Sequence, residues 1–207
     1  MSRLLWLAAL TFGAMLGPMQ GAVAQERTSE RASERTSERA PEAARQDAAA
    51  SEATVEATHQ VSQLISQKFG VARAKAEQIS AAVMSAASKY SLPPALLLAI
   101  ISVESRFKEK ARGANGATGL MQVVPAAHKQ LVRHIDLTEA TANIEAGSAI
   151  LHGYVQSAQG DVGAALKSYG GSKAYAEKIS LRAKAFAPQF GSGADANADS
   201  NAETTGD

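Results

Sequence analysis

The run from Pro94 to Ser105 constrains this fold more than any other stretch of the chain. Leu96, Leu97, Leu98, Ile100, Ile101 and Val103 put apolar side chains on every side of a helix. A helix that is apolar all round has no face to offer water, so other elements must enclose it. Pro93 and Pro94 suit its first turn, where proline costs no hydrogen bond. The helix closes on a single carboxylate, Glu104, and a turn rich in glycine follows it.

The neighbouring segments also carry the helical period. Val55 to Phe69 places Val55, Val61, Leu64, Ile65 and Phe69 at helical spacing and stops at Gly70, a C′ glycine. Val71 to Lys89 is Ala-rich, with Ile79, Val83, Met84 and Ala87 inward. A short helix is expected over Pro125–Arg133. Longer ones are expected over Asn143–Ser157, with Ile144, Gly147, Ile150, Leu151, Tyr154 and Val155 as the inner stripe, and over Asp161–Tyr169 and Lys173–Phe186. No run alternates with period two. The reading is all-α.

The ends are of a different kind. Arg3 precedes an apolar run from Leu4 to Leu16, and Ala22-Val23-Ala24 follows as a cleavage site, so residues 1–24 read as a secretory signal peptide. That run is too short to span a bilayer of about 30 Å, and no membrane span is expected after its removal. Residues 25–52 repeat Arg-Thr-Ser-Glu with small changes, and their apolar positions before Val55 are Ala and Pro. Such a segment cannot build a core and reads as a low-complexity linker. Residues 191–207 read as a disordered acidic tail. The folded part is therefore residues 53–190, enough for one compact domain.

The chain has no cysteine, so its stability must come from packing rather than disulfides. Residues 51–191 carry fifteen Lys and Arg against ten Asp and Glu. A basic domain suits an anionic polymer, and the export signal argues against nucleic acid. His59, His128, His134 and His152 have no ligand spacing, so no metal site is expected.

Glu104 is the candidate for chemistry. Ile100, Ile101 and Val103 surround it, and desolvation raises the pKa of a carboxyl. A raised pKa suits a general acid. From these residues alone, a solvated helix end paired with Arg106 or Lys108 stays an alternative. Gly113-Ala114-Asn115-Gly116-Ala117-Thr118-Gly119 forms a turn able to take positive φ. No Lys-Ser or Lys-Thr follows it, which excludes a phosphate loop. Gln122 then offers an uncharged donor and acceptor, suited to carbohydrate.

Glu104-Ser105, Phe107, Gly116-Ala117, Gly119-Leu120-Met121-Gln122 and Pro125 together resemble the signature of the soluble lytic transglycosylase catalytic domain, related to goose-type lysozyme. Asn143-Ile144 with Gly147 and Leu151, Ala165-Leu166 with Tyr169, and Tyr175 with Ile179 continue the resemblance in order, over about residues 85–186. It implies a lysozyme-like helical domain with disordered tails, acting on peptidoglycan in the periplasm or after secretion.

The implied reaction cuts the β-1,4 bond between N-acetylmuramic acid and N-acetylglucosamine and closes a 1,6-anhydro ring, with Glu104 as acid and then base. Ser105, Gly119, Met121, Gln122, Asn143, Tyr169 and Tyr175 are the implied substrate-binding residues. No cofactor is expected. The expected partner is the glycan strand of peptidoglycan, a cell-envelope assembly is left open, and a monomer is expected. A muramidase that admits water, or a weakly active glycan-binding module, are the alternatives.

Most glycosidases use a second carboxylate. Glu109 and Glu145 are the candidates, and both read as solvated charges. The chain departs from the family pattern at Lys108-Glu109, at Gly113 in place of a serine that commonly bonds the catalytic carboxylate or substrate, at Val124, and at Gly170 in place of asparagine.

Overall fold

A computed structural model describes residues 26–190. The expected signal peptide and acidic tail lie outside the described residues. The chain divides into two units, residues 1–48 and 49–207, each described by itself. In the first, residues 26–48 are helical, the start of α1 (Glu26–Phe69). The segment read as a linker is thus helix where it is described. Ala, Arg and Glu are strong helix formers, and the absence of a core-forming stripe does not prevent a helix.

The second unit is a bundle of helices. The end of α1 contributes buried Val61 and Ile65. Next come α2 (Arg73–Tyr90), α3 (Pro94–Glu104), the four-residue α4 (Lys129–Val132), α5 (Ala140–Ser157), α6 (Val162–Gly170) and α7 (Lys173–Phe186). The described residues contain no strand, only isolated bridges that pair Arg112 with Thr118 and Thr118 with Val123. The expected helix over Pro125–Arg133 shortens to α4, because turns at Val124–Ala127 and Pro125–His128 precede it.

α3 is the buried centre that its sequence requires: Leu96 through Ser102 are all buried. Pro94 occupies its first turn. It packs against α7 and α2, while α5 packs against α2 and α6, and α6 against α7. The later helices start on side-chain caps. Glu139 accepts from Ala142 N–H, Asp161 from Ala164 N–H and Ser172 from Tyr175 N–H, each satisfying an otherwise orphan donor. The Ser172 cap fixes where α7 begins, and so where Tyr175 sits.

Candidate active site

Beyond Glu104 the chain reverses sharply. Arg106 and Phe107 both take positive φ, at 53° and 62°. Left-handed backbone costs roughly 1–2 kcal/mol per non-glycine residue. Packing offsets that cost here: Phe107 is buried, with its ring 4.5 Å from that of Phe69. The reversal carries the chain directly into the motif loop.

Asn115 (54°), Gly116 (75°), Gly119 (80°) and Gln122 (49°) also take positive φ, so the loop makes the left-handed turns that its Asn and Gly content predicts. Thr118 and Val123 exchange two backbone bonds, at 2.9 and 3.0 Å, which holds Gly119 to Gln122 as a closed hairpin-like tip. Gly119 could not be another residue. A Cβ there would lie 2.1 Å from Asn143 Nδ2 and 2.4 Å from the Leu137 carbonyl oxygen.

Asn143 is wholly buried and every polar atom of its side chain is used. Oδ1 accepts the Met121 N–H at 2.8 Å, and Nδ2 donates to the Thr118 and Leu137 carbonyls at 2.8 and 2.9 Å. Its part is to tie α5 to the motif loop rather than to reach outward. Met121 is also wholly buried, against Gly147 of α5. Ser105 is buried and donates back to the Ile101 carbonyl at 3.1 Å. Gln122 is half-buried, and its Nε2 donates to Gly119 O at 2.9 Å and Ala111 O at 3.3 Å. Its Oε1 lies where a Cβ on Gly113 would be, 2.2 Å away.

The residues that meet Glu104 come from the far end of the chain. Tyr175 donates its phenol hydrogen to Glu104 Oε1 at 2.6 Å. Tyr169 donates to the Met121 carbonyl at 2.9 Å, and its ring meets that of Tyr154 edge-on at 6.4 Å. Glu104 itself is half-buried. Burial pushes its carboxyl above the usual range, against smaller opposing effects of the Tyr175 hydrogen bond and the Lys178 charge. Burial, with the nearby Glu104 charge, likewise pushes the Tyr169 and Tyr175 phenols well up, so both stay neutral donors at working pH. The sequence-predicted residues thus fall in two groups. Tyr175 bonds the Glu104 carboxyl and Tyr169 lies near it, while Ser105, Gly119, Met121, Gln122 and Asn143 hold the surrounding backbone together.

The other two acids are engaged elsewhere, and neither is the free solvated charge that the sequence suggests. Glu109 bonds Lys75 Nζ at 2.8 Å and accepts the Ala140 N–H at 3.2 Å, at the start of α5. Glu145 accepts from Tyr90 Oη at 2.7 Å and pairs with Lys89. Sequence spacing gives no signal for either pairing, since both join segments more than thirty residues apart. Among the described residues no cluster of three or more His, Asp or Glu side chains is placed to hold a metal ion.

The family model for the transglycosylase SLT domain matches residues 81–188. A transglycosylase of Enterobacteria phage PRD1 is 34% identical over 87 residues, which cover 42% of this chain and 32% of the phage protein. The chain therefore spans about a third of that relative's length. The X-ray structure of an inactive mutant of the lytic transglycosylase Slt from Pseudomonas aeruginosa is 23% identical, with a TM-score of 0.41, covering 53% of this chain and 21% of that one.

Proposed function

Since this chain belongs to the transglycosylase SLT domain family, we propose that its helical domain cleaves the β-1,4 bond between N-acetylmuramic acid and N-acetylglucosamine in peptidoglycan without water. The observation that carries the reading is the setting of Glu104: a half-buried carboxyl whose pKa burial raises, bonded by one phenol, with Lys178 as the charge acting on it. No second carboxylate is among the groups that shift it.

The chemistry follows from that setting. Protonated Glu104 gives its proton to the glycosidic oxygen as the bond to C1 of the muramoyl sugar breaks. The oxygen of the sugar's own 2-acetamido group supports the positive charge at C1, the substrate-assisted route that dispenses with a second carboxylate. Glu104, now a carboxylate, takes the proton from the muramoyl 6-hydroxyl. O6 then bonds to C1, which closes a 1,6-anhydro ring and returns Glu104 to its protonated state. A carboxyl that alternates between acid and base works best when its pKa lies near the operating pH, and burial moves Glu104 in that direction.

The Arg3-led apolar run and the Ala22-Val23-Ala24 site support export to the periplasm or beyond, where the substrate lies. Among the described residues no helix is long and apolar enough to cross a membrane.

The test is digestion of purified sacculi with the full chain and with Glu104→Gln, with products read by mass spectrometry. Anhydro-ended muropeptides from the wild type alone are expected. Reducing-end products would indicate a muramidase, and binding without cleavage by either protein would overturn the enzyme reading.

A further inference from the structure

Two glycines, Gly170 and Gly171, end and cap α6 just before α7 begins. Only one of them is required by the backbone. Gly171 takes φ 78° as the left-handed cap of α6, where glycine is strongly favoured. Gly170 is the last residue of α6 and its φ is not positive. The backbone at 170 accepts any L residue, and alanine would favour the helix by up to about 1 kcal/mol.

The reason for glycine at 170 lies outside its own helix. A Cβ there would fall 2.2 Å from Tyr175 Cδ1, 2.3 Å from Cγ and 2.4 Å from Cε1. The ring of Tyr175 lies across the place of the missing side chain. These are atoms at the base and edge of a rigid ring, so it cannot clear a methyl group by bending its tip. The backbone of Tyr175 is held too: its N–H is bonded to Ser172 Oγ at 3.1 Å, and Ala176 and Ile179 beside it are buried. A side chain at 170 must therefore swing the ring, and the ring carries the hydroxyl that bonds Glu104 at 2.6 Å.

We propose that Gly170 is a positioning residue: the space left by its absent side chain seats the Tyr175 ring where its phenol reaches Glu104, so the size of residue 170 decides how the acid is held. This rests on the reading of Glu104 as the reacting acid. Three groups act with the Glu104 carboxyl: Tyr175 and Lys178 of α7, and Tyr169 of α6. Lys178 is exposed, and Tyr169 is anchored separately on the Met121 carbonyl. Beyond the chain neighbours of Gly170, the three atoms nearest to a Cβ there all belong to the Tyr175 ring.

The experiment follows the contact itself in the resting, full-length protein. Tyrosine is labelled with 13C at Cζ, and the Tyr175 resonance is assigned by its loss in Tyr175→Phe. In the wild type that resonance is expected to shift with the ionisation of Glu104, and to stop doing so in Glu104→Gln. In Gly170→Ala it is expected to lose most of that shift, while the Tyr169 resonance keeps its own response. A Tyr175 resonance that follows Glu104 as strongly in Gly170→Ala as in wild type overturns the proposal.

A stability cycle covers the case of a poorly folding variant. Gly170→Ala is expected to lower Tm in the wild type but to be neutral or stabilising in a Tyr175→Ala background, where no ring remains to be displaced. Equal destabilisation in both backgrounds overturns it. Neither readout uses substrate. Failure here with normal anhydro products from wild type would leave the reaction standing, whereas normal coupling with no products would remove the reaction and leave the contact.

Discussion

Asn143 accepts the Met121 N–H at 2.8 Å and spends both of its own amide hydrogens on the Thr118 and Leu137 carbonyls. One side chain of α5 therefore satisfies three backbone groups around the loop that follows Glu104. Replacing it with alanine leaves the Met121 N–H and the Leu137 carbonyl without that partner in a buried setting, at roughly 1–3 kcal/mol for each group that water cannot reach, while the Thr118 carbonyl keeps the Val123 N–H. Asn143→Ala is expected to destabilise the domain by about 3 kcal/mol or more, measured as a fall in the urea midpoint. A loss under about 1 kcal/mol would mean that the loop is held by other means.

Met121 is seated by a glycine on the same helix, and a second glycine there provides the comparison. A Cβ on Gly147 would lie 2.7 Å from both Met121 Cβ and Sδ, whereas one on Gly153 would meet nothing within 4 Å. Overpacking costs about 1–3 kcal/mol, while Gly to Ala in an open helical site gains up to about 1 kcal/mol. Thermal melts should therefore show opposite signs, with Gly147→Ala lowering Tm and Gly153→Ala raising it. The same sign for both would contradict the close approach of α5 to the motif loop.

Glu104 itself is expected to trade stability for function. Burial raises its pKa in the folded chain above that of the unfolded chain. The folded state then binds the proton more tightly, so the stability present below the unfolded pKa, about 4.3 for glutamate, is lost as pH rises through the folded value. Glu104→Gln keeps an acceptor for Tyr175 and never ionises. It should melt above wild type at pH 7, and the difference should vanish below about pH 4. A variant less stable than wild type at pH 7 would contradict the direction of the shift.

Much of this was legible in the sequence. The period of the apolar residues locates α2, α5, α6 and α7 to within a few residues, because each buries a stripe and burial dictates spacing, while α3 is marked by its unbroken apolar run. The motif loop announced its left-handed turns through Asn115, Gly116 and Gly119, although Arg106, Phe107 and Gln122 share that conformation with no residue type to signal it. Phe107 is held there by its contact with Phe69, and Gln122 by its bonds to the Gly119 and Ala111 carbonyls.

The site divides along the same line. Glu104 could be singled out from its own helix, since its apolar neighbours are close in sequence. Its bond to Tyr175 spans 71 positions and depends on how α7 packs on α3. Asn143 was expected at the substrate, and only the packing of α5 shows its polar atoms spent on the loop. Gly113 supplies no hydroxyl, and the one that does reach Glu104 comes from Tyr175.

In the proposed reaction Glu104 drives cleavage with the sugar's own hydroxyl and not with water. Digestion of sacculi in water enriched in 18O tests it most directly, with the masses of the new glycan ends read for heavy oxygen. Anhydro-ended fragments free of label are expected, formed by the wild type and absent with Glu104→Gln. New reducing ends carrying the heavy oxygen would contradict it and make the enzyme a hydrolase.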